Sequence, residues 1–205
     1  MNSPRQTLES FEASLVPIFV PSAFFADGSW FGPYQRLRAR QIGLTWAVMR
    51  PNNMQLYVNQ ALQACWAKQG LDWQALALRN LSEHTGDPPA THALRRDNGE
   101  IYSVAFMHSD ALGPSRLLLR DRLSAIFPAG YRVAIPEMSC GFAMSLELEK
   151  KEMAELQDLI EGCHRKGTRP LAPGIFDSDD LLPELGAGDR VPSIMGGDVY
   201  QSGGQ

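Results

Sequence analysis

No stretch of this 205-residue sequence approaches the ~18 consecutive apolar residues that cross a bilayer. Its first apolar run, Leu15 to Val20, is short and broken by Pro17, and Glu9 and Glu12 stand where a signal peptide would be basic. Cysteine is scarce: Cys65, Cys140 and Cys163 lie far apart and form no Cys-x-x-Cys pair, which excludes a zinc ribbon and a disulfide framework. Positive charge is not in excess. Nineteen Lys and Arg stand against 23 Asp and Glu, for a net charge of -4, so the chain lacks the basic balance of a general nucleic-acid binder. There is no internal repeat, no Gly-x-Ser-x-Gly and no catalytic-cysteine signature. These absences lead us to expect a cytoplasmic protein with no membrane segment, no nucleic-acid partner, no metal and no cofactor.

What is present is an ordinary globular composition, 44% apolar and 20% charged, with the charge unevenly placed. Residues 1 to 168 hold 17 basic and 17 acidic side chains. Residues 169 to 205 hold two Arg against six acids, with seven Gly and four Pro in 37 positions. The expected organisation is therefore one domain over 1–168 and an acidic, extended tail over 169–205, which either stays free or docks on the core.

Within the domain, Gly43 to Arg50 reads as a strand stopped by Pro51. Asn53 then reads as the cap of a helix whose stripe is Met54, Tyr57, Val58, Ala61, Leu62 and Cys65. Gly70 separates it from a second helix capped by Asp72, with Trp73, Leu76, Ala77, Asn80, Leu81 and His84 on one face. The spacing of Asn80 and His84 supplies only two of the ligands a metal would need, so Asn80 is expected to bond a nearby backbone group. Residues 86 to 100 read as a loop and Ile101 to His108 as a strand. Ser115 to Phe127 reads as a helix with Arg116, Arg120 and Arg122 facing water. Two strands follow around Pro136, and a fourth helix starts near Leu148 with Glu149, Met153, Leu156, Leu159, Ile160 and Cys163 on its stripe. One strand pair joined by a short loop favours an α+β fold, a mixed or antiparallel sheet packed with about four helices, over a doubly wound parallel sheet.

The segment Pro136-Glu-Met-Ser-Cys-Gly141 places a carboxylate, a hydroxyl and a thiol within four residues. A thiol nucleophile needs a base and a lowered pKa. Cys140, with His108 or His84 as base and Glu137 orienting, is one catalytic candidate, against a turn heading a strand with Cys140 in the core; His108 and Asp110 at a strand end are a second, against a polar turn in which Asp110 caps the next helix. Arg36, Arg38 and Arg40 fall on one face if their segment is extended, where they can meet an acidic partner or the protein's own tail. In that tail, Ile175, Phe176, Leu181 and Leu182 alternate with acids, a composition suited to docking in a groove.

Three short patterns carry a family resemblance. They are Ala77 to Leu81, Ser115 to Leu119 and Ala134 to Pro136, within a likeness spanning about residues 44 to 165. In these the chain resembles the YtpQ-type family of uncharacterised bacterial proteins, which implies a bacterial, soluble α+β protein and no known activity. The family's pattern has a charged pair such as Arg-Asp after the proline, whereas this chain reads Glu137-Met138-Ser139. The sequence as a whole points to a non-enzymatic domain that binds a protein or peptide through Arg36, Arg38, Arg40, Phe176, Leu181 and Leu182. The competing expectation is a hydrolase or transferase using Cys140 or His108.

Overall fold

The computed structural model describes residues 11–87 and 89–184. The remainder of the acidic tail, 185–205, therefore lies outside the described residues. The longest strand, β3 (Ile42–Arg50), organises the first of two antiparallel sheets. Along one side it pairs with β1 (Leu15–Pro21), from Leu15 opposite Val48 to Pro21 opposite Ile42. Along the other it pairs first with β2 (Tyr34–Arg36) and then with β4 (Met54–Tyr57). Pro17 and Pro21 are compatible with β1 because it is an edge strand, where a missing N–H breaks no ladder.

The second sheet has the order β5-β6-β8-β7-β9, all antiparallel. Its strands are β5 (His92–Arg95), β6 (Ile101–Phe106), β7 (Tyr131–Glu137), β8 (Cys140–Ser145) and β9 (Ile175–Asp177). Four α-helices complete the described residues: α1 (Gln60–Lys68), α2 (Trp73–His84), α3 (Arg120–Ile126) and α4 (Lys150–Lys166). The α+β class with antiparallel sheets holds, and none of these helices is long and apolar enough to cross a membrane.

Strand alternation sorts the side chains into layers. Leu15, Phe19, Leu44 and Trp46 of the first sheet share one core with Val104, Val133, Ile135 and Ala143 of the second. Val16, Ile18 and Val20, one residue out of phase, face Leu81 of α2 together with Leu112 and Leu119. On the far face of the second sheet, Ala134, Phe142 and Met144 pack on Leu156 and Ile160 of α4. That helix opens with a capping box in which the Glu149 and Glu152 side chains satisfy each other's backbone N–H.

Several local expectations change. Met54 to Tyr57 is a strand, not the first turn of a helix, and α1 is capped by Asn59, whose side chain accepts from Leu62 N–H. The stretch read as a loop over 86–100 contains β5, all of whose residues are exposed. The helix expected from Ser115 divides into a 3-10 turn over Pro114–Leu118 and α3. Arg116 is not wet: it is 1% exposed. Asn80 meets its expectation, donating to the carbonyls of Glu12 and Leu15 and so tying α2 to the start of β1. His84 is exposed at the helix end.

The described part of the tail is a strap across both sheets. The backbone N–H groups of Leu171 and Ala172 donate to the Pro136 and Ile135 carbonyls, and β9 then extends the second sheet on β7. After a turn over Ser178–Leu181, Arg38 N–H donates to Leu182 and Glu184 N–H to Arg36, alongside β2 of the first sheet. Leu181 is buried in the shared core.

Candidate functional site

The Glu137–Cys140 region is a two-residue hairpin turn between β7 and β8, and its polar groups are turned on each other. Glu137 is 6% exposed. Its carboxylate accepts from the backbone N–H and hydroxyl of Ser139, from Arg169 N–H and from the Thr168 hydroxyl. Burial alone would raise this carboxyl, but the Ser139 and Arg169 hydrogen bonds outweigh it and hold the group below its ordinary value. Glu137 thus fastens the turn at 167–169 to the hairpin. Cys140 is 4% exposed and packs with Cys163 of α4. Burial, reinforced by Cys163, pushes its thiol up to about 12, the opposite of what a thiolate nucleophile requires. Among the described residues no hydrogen bond joins Cys140 to a histidine, and no three His, Cys, Asp or Glu side chains converge as metal ligands would.

His108 and Asp110 sit in the neighbouring loop, where Asp110 does two jobs. It accepts from Leu112 N–H at 3.0 Å, and it holds the buried Arg116 guanidinium through both oxygens, at 3.0 and 2.5 Å. Burial works against the Asp110 charge, yet Arg116 brings its pKa below the ordinary value. His108 is lowered, first by burial and then by the Arg116 charge. Its Nδ1 and the Arg116 Nε are buried without a hydrogen-bond partner. Gly113 lets this loop lie against the hairpin: a Cβ there would run into the carbonyl oxygens of Phe106 and Ser139. The loop and the hairpin therefore touch, but two surface concavities of about 440 and 580 Å³ flank the β5–β6 hairpin instead, and His108, Asp110, Glu137 and Cys140 line neither.

The six expected binding residues divide between the strap (Phe176, Leu181 and Leu182) and the edge segment that its end crosses (Arg36, Arg38 and Arg40). Arg36, Arg38 and Arg40 are all exposed, while Leu37 and Ala39 between them are buried. The segment is extended only as far as Arg36, and Arg38 to Arg40 form a turn in which Arg40 N–H donates to the Leu37 carbonyl, so the three do not lie on one extended face as expected. The strap's backbone pairs with this segment, but its acids engage little of it. Arg40 approaches Glu184 at 3.7 Å with both side chains exposed, and Arg36 and Arg38 join no ion pair among the described residues. Leu181 is buried, whereas Phe176 and Leu182 are half-buried, and Leu181 and Phe176 rest on the protein's own core.

Next to the arginine row lies a patch that the reading by period and motif passes over. The segment Ser22 to Tyr34 contains Phe24, Phe25, Trp30, Phe31 and Tyr34. Trp30 is the hub, with ring centroids 6.0 Å from Phe24, 5.4 Å from Phe25, 5.2 Å from Phe31 and 5.2 Å from Tyr57. Phe25 is the buried foundation; it rests on Gly43, where any side chain would collide with its ring, and stacks on Tyr34 at 4.3 Å. Above it Phe31 is 53% exposed, Phe24 44% and Tyr34 42%. The signal available in the sequence was density, five aromatics in thirteen residues interrupted by Gly28 and Gly32.

Comparison with family models, with curated proteins and with solved structures returned no match, so the functional reading rests on this geometry.

Proposed function

We propose that this protein is a protein- or peptide-binding domain and that its binding surface is the aromatic patch around Trp30. The observation that carries the reading is the exposure of Phe24, Phe31 and Tyr34 on one connected ring cluster. Scattered apolar side chains on a surface need no explanation, but a contiguous aromatic group does. Aromatic residues also dominate the energetic centres of interfaces, because they bury a large area at little rotamer entropy. A hydrolase or transferase built on Cys140 or His108 has less support, since burial pushes the Cys140 thiol up and neither residue lines the two concavities beside the β5–β6 hairpin.

Selection of a random peptide library on the full chain tests the reading. Enriched peptides should bind the wild type and lose at least tenfold in affinity to Phe31→Ser and to Phe24→Ser. Failure to enrich any sequence, or affinities indifferent to both substitutions, overturns it.

A further inference from the structure

We infer that the partner is an extended segment with apolar anchors and several carboxylates, lying along the outer edge of the first sheet at Tyr34 with its acids over Arg36 and Arg38. The inference rests on the binding role proposed for the patch and names the chemistry that the patch would take.

Charge is the first argument. Residues 22 to 58 carry four arginines (Arg36, Arg38, Arg40 and Arg50) against a single acid, Asp27, in a chain whose net charge is -4. Three of those arginines are exposed just after Tyr34: Arg36 ends the same strand, and Arg38 and Arg40 lie in the turn that follows. Arg36 and Arg38 have no carboxylate within ion-pair distance among the described residues. A guanidinium row beside aromatic rings offers carboxylates paired hydrogen bonds and offers apolar anchors a seat, and the two together select an acidic-apolar ligand over a purely apolar one.

The second argument is continuity with an interface the molecule already makes. Its own strap, Ile-Phe-Asp-Ser-Asp-Asp-Leu-Leu-Pro-Glu over 175–184, is an acidic-apolar segment. It is held on this same edge, by Arg38 N–H to the Leu182 carbonyl at 3.1 Å and by Glu184 N–H to the Arg36 carbonyl at 2.8 Å. By strand alternation the main-chain groups of Tyr34 face the same edge as those of Arg36 and Arg38. On this edge the Arg36 carbonyl and the Arg38 N–H are already taken by the strap, so side chains must carry most of the recognition.

Trp30 provides the measurement. It is the half-buried tryptophan beside the patch, while Trp46, Trp66 and Trp73 are buried, so acrylamide should quench it selectively. The probes are a twelve-residue peptide with Phe and Leu anchors between Asp residues, the same peptide with Asn at every Asp, and the same with Lys. The Asp peptide should shield Trp30 and bind at least tenfold more tightly than the Asn peptide, with affinity falling as salt rises. Arg36→Glu combined with Arg38→Glu should abolish that preference and confer binding of the Lys peptide, with melting unchanged because both positions are exposed.

Equal binding of the Asp and Asn peptides overturns the acidic partner while leaving an aromatic binding surface intact. Shielding by neither peptide overturns it too. So does a Trp30 already inaccessible in the free chain, which would mean that the protein covers its own patch. Shielding that grows with protein concentration alone assigns the surface to a second copy. Shielding by phosphatidylserine vesicles but not by the Asp peptide assigns it to a membrane.

Discussion

The hairpin corner at Glu137–Cys140 and the aromatic segment at Phe24–Tyr34 are opposites in composition and in fate. The corner gathers the residue types from which active sites are made, and the fold uses them up. Glu137 is surrounded by donors, Asp110 and Arg116 neutralise each other, and Cys140 is sealed under α4. The aromatic segment holds the residue types from which cores are made, and the fold leaves several of them in water. A cluster of reactive groups says little about function until their partners are known, and a buried-looking composition says little about burial. What marks a site is an interaction capacity that the molecule does not itself consume.

That contrast can be broken by substitution, and the largest effect belongs to the corner. Asp110→Ala strands the buried Arg116 charge and should destabilise by about 4 kcal/mol in urea unfolding, with most of the loss recovered when Arg116→Met is added. Glu137→Ala leaves the N–H groups of Ser139 and Arg169 without their acceptor, an expected loss of about 3 kcal/mol.

Glu137 also gives a pH signature. Because its folded pKa lies below its unfolded one, its contribution is complete above the unfolded value of about 4.3 and disappears as pH falls through the folded value. Wild-type stability should therefore drop more steeply below about pH 4.3 than that of Glu137→Gln. Equal slopes would mean that the carboxylate is not held as described.

Leu181→Ala, at the point where the strap enters the shared core, should destabilise by about 2 kcal/mol. At the small end, Phe24→Ser and Phe31→Ser should change stability by less than about 1 kcal/mol, since both residues are only about half covered. A loss of 2 kcal/mol or more at either position would make the patch part of the structure and erase the contrast.

Elements with a strong local cause were legible in the sequence. The apolar stripe of α4, except Leu159, which is exposed, the Asp72 cap of α2 and the strand pair around Pro136 each follow from a few neighbouring residues. Elements whose cause is tertiary were not. β1 hides behind two prolines that only an edge position tolerates. Met54 to Val58 fits a helical stripe as well as a strand, and pairing with β3 decides between them. Arg116 reads as a surface cation until Asp110 is known to bind it.

The same division runs through the sites. Arg36, Arg38 and Arg40 were legible as exposed, but the extended segment that would put them on one face ends at Arg36, where a turn takes over. The strap's leucine and phenylalanine were legible as anchors, although the groove they reach is the protein's own. The aromatic patch was not legible, because residues in a Gly- and Pro-interrupted loop have no period to read, and only the seat of Phe25 on Gly43 reveals which rings are left outside.

The most direct test is acrylamide quenching of tryptophan emission in the full chain, with and without a peptide selected on it. The account expects one accessible tryptophan in the free protein, shielded on binding, and no shielding in Phe31→Ser at the same peptide concentration. Emission whose quenching the bound peptide does not change would contradict it.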